Sequence, residues 1–79
     1  MIDDFHVIEI KYRTKSNITI KAKVLLVLPI PQTYQVSFYR LGVYGAEHLL
    51  GTKSLDRVDY FQIEEWVGKI LEGFAFKDI

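Results

Sequence analysis

The chain contains no cysteine and has only two prolines, two histidines and one tryptophan. Without cysteine there can be neither a disulfide framework nor a thiolate zinc site, so stability must come from packing, within the chain or between subunits. The two histidines, His6 and His48, form no His-x-His or His-x-x-x-His pair. We therefore expect no metal and no other cofactor.

Long apolar runs and net charge are also lacking. The longest purely aliphatic stretch, residues 24–28, is far too short to cross a bilayer, and the N-terminus lacks the basic and apolar regions of a signal peptide. Ten basic residues balance ten acidic ones, but basic residues predominate in residues 9–40 and acidic residues in residues 56–72. We expect a cytoplasmic protein that does not bind membranes.

No group of side chains predicts catalysis. Ser16, Ser37 and Ser54 lie in no glycine-flanked elbow, and no cysteine is present as an alternative nucleophile. Glu64 and Glu65 are adjacent on a predicted helix, so they point about 100° apart and cannot act as a facing pair. We therefore expect a protein that is not an enzyme.

Alternating apolar and polar residues predict three strands, over residues 5–13, 18–28 and 33–40. Glycines at positions 42, 45 and 51 suggest a turn and then a short fourth strand around residues 46–53. A helix follows, because Asp59 and Gln62 have the spacing of a capping box, and apolar residues recur at helical spacing until Gly73. The pattern predicts one α+β domain over residues 1–79, an antiparallel meander sheet of three to four strands followed by one C-terminal helix packed on one face.

The register of the first hairpin follows from the requirement that the apolar faces of its strands coincide. A loop of Lys15, Ser16 and Asn17 pairs Tyr12 with Ile20, Ile10 with Ala22, Ile8 with Val24 and His6 with Leu26 on the face that the helix covers. On the outward face it pairs Glu9 with Lys23, Val7 with Leu25 and Phe5 with Val27. A five-residue loop would place Glu9 opposite Lys21, which matches the apolar residues less well.

Four apolar residues on the outward face, Phe5, Val7, Leu25 and Val27, form the strongest candidate site. At about 25 cal/mol per Å², leaving them in water forgoes several kcal/mol, and exposed apolar patches ordinarily mark interaction sites. The cover could be the tail residues Phe74 and Phe76, a second copy of the chain, or a different protein. We expect an intermolecular cover and include both tail residues in the candidate protein interface.

A second candidate surface consists of Lys11, Arg13, Lys21 and Lys23 on the outward face, with Tyr39 expected beside Lys23. Basic side chains around an aromatic ring can hold the backbone and base of a single-stranded nucleic acid. A solvated strand face with lysines that protect the sheet edge is the plainer interpretation.

These patterns favour one function and leave a second as the alternative. The first is a small non-enzymatic protein-binding module, with a homodimer as one form, which acts by occupying the surface of a partner. Accessory or inhibitory proteins of phages and other mobile elements offer an analogy. The alternative is a nucleic-acid-binding domain that uses the basic sheet face.

Overall fold

The computed structural model describes residues 6–79, and the side chains of all of these except His6, Val7 and Pro29. The elements are β1 (His6–Arg13), β2 (Thr19–Pro29), β3 (Gln32–Leu41), β4 (Glu47–Leu55) and helix α1 (Tyr60–Leu71), with short 3₁₀ turns at Val43–Gly45 and Phe76–Asp78. The four strands form one antiparallel sheet in the order β1-β2-β3-β4. The predicted α+β meander with a C-terminal helix is confirmed, and no helix in residues 6–79 is long and apolar enough to cross a membrane.

Both predicted ends of α1 are confirmed. The Asp59 side chain accepts a hydrogen bond of 3.1 Å from the Gln62 N–H, which satisfies one of the free donors in the first turn. At the other end, Gly73 has φ +93°, and its N–H donates to the Ile70 carbonyl while the Phe74 N–H donates to that of Lys69. These two bonds form a Schellman motif, which satisfies carbonyls of the last turn.

The core lies between α1 and one face of the sheet, here called the covered face. Its fully buried members are Ile20, Ala22, Val24, Val36, Phe38, Ile63 and Val67. The Phe38 ring meets Trp66 edge-on, with 6.0 Å between centroids, and lies 5.8 Å from the ring of Phe76. The helix therefore covers the predicted face, and the tail residue Phe76 joins the same core.

The register of the first hairpin agrees with the prediction as far as Ile8. Tyr12 lies opposite Ile20, Ile8 opposite Val24 and Glu9 opposite Lys23, and Asn17 adopts the left-handed conformation with φ 64°.

On the N-terminal side of Ile8 the register of β1 with β2 shifts. His6 lies opposite Leu25 rather than Leu26, because Val7 is the extra residue of a β-bulge. The predicted pairs His6–Leu26 and Val7–Leu25 are therefore wrong, and the predicted pair Phe5–Val27 includes a residue outside the described range.

The helix is too short to cover the whole of β2. At about 1.5 Å per residue its 12 residues span roughly 18 Å, whereas the 11 residues of β2 span roughly 36 Å at about 3.3 Å each. Burial falls along the covered face of the strand accordingly, from Val24 (0% exposed) to half-buried Leu26. Regular alternation would place Leu28 on the covered face with Leu26. Instead, Val27 is the extra residue of a β-bulge, so Leu28 lies opposite Thr33 and faces away from the helix.

Candidate functional site

The β2–β3 hairpin ends in three exposed apolar side chains, Val27, Leu28 and Ile30, which we call the hairpin tip. Their exposed fractions are 49%, 50% and 88%. Val27 is the extra residue of a second bulge, between Leu26 and Leu28, and the turn that follows contains a cis Ile30–Pro31 peptide bond. The bulge interrupts the ladder and places Leu28 opposite Thr33 rather than Tyr34.

The structure separates the residues of the predicted protein interface. Leu25 is half-buried on the outward face, opposite Gln35 of β3, and Val27 belongs to the hairpin tip. Phe74, which is 50% exposed, follows α1 near the opposite end of the sheet from the hairpin tip, where it lines a cavity described below. Phe5 and the side chain of Val7 lie outside the described part of the chain.

The tail packs on the covered face. Phe76 lies against Phe38 and Gly51. The Lys53 ammonium lies 5.2 Å from the Phe76 ring centroid and donates a hydrogen bond to the main-chain oxygen of Ile79. Phe76 therefore does not cover the outward face, which was one of the three alternatives considered.

The residues of the predicted basic surface share the outward face. Lys11 lies opposite Lys21 across β1 and β2, and Arg13 lies opposite Thr19. Tyr39 lies opposite Lys21 rather than beside Lys23 as expected, because the register of β2 with β3 places Ser37 opposite Lys23.

Carboxylates neutralise the centre of this face. Lys21, only 7% exposed, donates a hydrogen bond to Glu47, its ammonium lies 3.7 Å from a Glu9 carboxylate oxygen, and it lies 5.6 Å from the Tyr39 ring centroid. The hydrogen bond with Glu47 is the main cause that raises the pKa of Lys21. The same bond lowers the pKa of Glu47. Both groups are therefore held in their charged forms, and the Lys21 ammonium is already paired with carboxylates.

The described side chains contain no group of three or more His, Cys, Asp or Glu residues arranged to hold a metal ion. His48 is exposed on β4, opposite Arg40 of β3. Among the described side chains, His48 belongs to no such group.

Sequence reasoning missed Leu28 and Ile30 as surface residues. A signal for them was present, because Pro29 and Pro31 interrupt regular pairing and the predicted helix is much shorter than the second strand. The bulge at Val27, which turns Leu28 away from the covered face, leaves no mark in the alternating pattern. Comparison of the chain with protein-family models, curated proteins and solved structures finds no match.

Proposed function

We propose that this chain is a small, non-enzymatic protein-binding module that acts in the cytoplasm by inserting its hairpin tip into the surface of a partner. The observation that carries the proposal is the exposure of Val27, Leu28 and Ile30 within four consecutive residues, at and after the bulge that turns Leu28 away from the helix. Fully burying such a side chain is worth about 1.5–3 kcal/mol. A partner that covers all three therefore gains several kcal/mol.

The hairpin tip alone is smaller than a stable interface, which buries about 800 Å² on each partner. The adjoining outward face supplies the rest, because half-buried Leu25 continues the apolar surface and Lys23 and Gln35 border it. An apolar centre with a polar rim is the usual anatomy of a protein interface. The partner is a second copy of the chain or a different protein, which the module blocks as an accessory or inhibitory protein would.

Two double variants test the proposal. Leu28→Asp with Ile30→Asp charges the hairpin tip, whereas Val43→Asp with Tyr44→Asp charges the β3–β4 turn at the opposite end of the sheet. Val43 and Tyr44 are 77% and 101% exposed, so the second variant is a matched control for exposure and charge. Both variants should remain folded, because none of the four side chains is buried.

Sedimentation of the purified proteins over a range of concentrations, together with capture of partners from the native host, supplies the readout. We expect the hairpin-tip variant to lose self-association or partner capture at least tenfold, while the control behaves as wild type. Equal behaviour of the two variants would contradict the proposal.

Nucleic-acid binding is the second candidate function. Its support is that Lys11, Arg13, Lys21, Lys23 and Tyr39 share one sheet face. Glu9 and Glu47 weigh against it because they neutralise Lys21. If oligonucleotides bind here, affinity should fall steeply with salt, and Glu47→Gln should strengthen binding. Absence of salt-sensitive binding would remove this candidate.

A further inference from the structure

A cavity of about 440 Å³ lies between the C-terminal end of α1 and the sheet, at the end of the molecule opposite the hairpin tip. Its apolar lining includes Ile18 just before β2, Ile20 of β2 and Leu50 of β4. It also includes Ile70 and Leu71 at the end of α1, and Phe74 just after it. Pockets for small ligands usually measure about 300–1,000 Å³ and combine apolar walls with a few polar groups. The cavity has the size and lining of such a pocket.

Arg40 is the charged residue of the lining. It lies opposite Ile20 on the covered face of the sheet, at the edge of the helix cover, where it is exposed. In the part of the chain that the structure describes, its guanidinium makes no ion pair and no side-chain hydrogen bond. A guanidinium presents a planar fork of donors that matches a carboxylate.

The nearby helix end does not cancel this positive charge. The C-terminus of a helix ordinarily attracts cations because its last carbonyls lack partners. Here the N–H groups of Glu72, Gly73 and Phe74 donate to the carbonyls of the last turn. Arg40 therefore carries the formal charge of the lining.

We propose that this cavity binds a small carboxylic acid with an unbranched apolar tail. The apolar tail of the ligand lies among Ile20, Leu50 and Phe74, and its carboxylate accepts hydrogen bonds from Arg40. Because the cavity and the hairpin tip lie at opposite ends of the sheet, this site does not depend on the proposed protein interface.

Decanoate, kept below its micelle concentration, is a suitable probe, with decylammonium as the probe of opposite charge. Methyl NMR shifts of Ile18, Ile20, Leu50 and Ile70 report on the cavity. We expect decanoate to shift these methyl signals saturably and decylammonium to bind at least tenfold more weakly. Arg40→Gln should weaken decanoate about tenfold through loss of charge-assisted hydrogen bonds, and Arg40→Lys should weaken it less. Arg57→Gln, at an exposed loop position outside the lining, is the control and should have no effect.

Three results would overturn the proposal. The first is the absence of saturable shifts at these methyl groups. The second is equal affinity for the two probes, or an unchanged affinity in Arg40→Gln. The third is the appearance of the same shifts when protein concentration is raised without ligand, together with their loss in the variant Leu28→Asp with Ile30→Asp. That result would mean that the hairpin tip of a second copy fills the cavity.

Discussion

Gly51 of the edge strand β4 lies so close to the ring of Phe76 that a Cβ atom at position 51 would be 2.6 Å from two ring carbons. A third ring carbon would lie at 2.9 Å. Only a residue without a side chain leaves room for the ring in this position. The pair fixes the chain after α1 against the covered face of the sheet.

Gly51→Ala should lower the free energy of unfolding by about 1–3 kcal/mol, because the added methyl group overpacks against the ring. With Phe76→Ala already present, the same substitution should cost less than about 0.5 kcal/mol, because the obstacle is gone. Chemical denaturation of the two single variants and the double variant measures this coupling. Additive losses would show that Phe76 does not pack on Gly51.

Val24 and Leu28 both occupy even positions of β2, but the bulge at Val27 leaves only Val24 on the covered face. Val24→Ala should cost about 2 kcal/mol or more, from lost apolar burial and the cavity left behind. Leu28→Ala should cost less than about 0.5 kcal/mol, because half of the side chain is already in water. Denaturation midpoints of the two variants provide the comparison, and losses of similar size would mean that Leu28 is buried as Val24 is.

The Lys21–Glu47 pair should make stability depend on acid pH. The pKa of Glu47 is lower in the folded chain than in the unfolded chain because Lys21 donates a hydrogen bond to it. The resulting stabilisation is present above the unfolded pKa, near pH 4.3, and is lost as pH falls through the folded pKa.

Glu47→Gln should therefore be less stable than wild type at pH 7, and the difference should shrink as the pH falls below about 4.3. Glu65→Gln, at an exposed helix position, is the control, since no ion pair in the described part of the chain includes Glu65. Denaturation curves from pH 7 to pH 3 measure both differences. A pH-independent difference for Glu47→Gln would contradict the ion pair.

Local signals in the sequence were sufficient for most of the fold. Asp59 and Gln62 marked the start of the helix, Gly73 its end, and Asn17 the first turn, because capping and left-handed backbone are properties of a few adjacent residues. Matching apolar faces gave the register of β1 and β2 as far as Ile8, since a slip by one residue would have exposed the core.

The errors arose where a long-range relationship decides the structure. The bulge at Val7 shifts one strand against another without interrupting the apolar pattern, so the pattern could not reveal it. The place of Tyr39 opposite Lys21 depends on the β2–β3 register, and the approach of Glu47 to Lys21 joins residues 26 positions apart. The basic face was therefore predicted without the carboxylates that neutralise it.

A photo-crosslinking amino acid at position 28, compared with the same residue at position 43, tests whether the hairpin tip is the surface that binds a partner. Both sites are exposed, but only position 28 belongs to the hairpin tip. We expect irradiation in the native host to join the chain to one defined protein, or to a second copy, from position 28 and not from position 43. No adduct from position 28, or equal adducts from both positions, would contradict it.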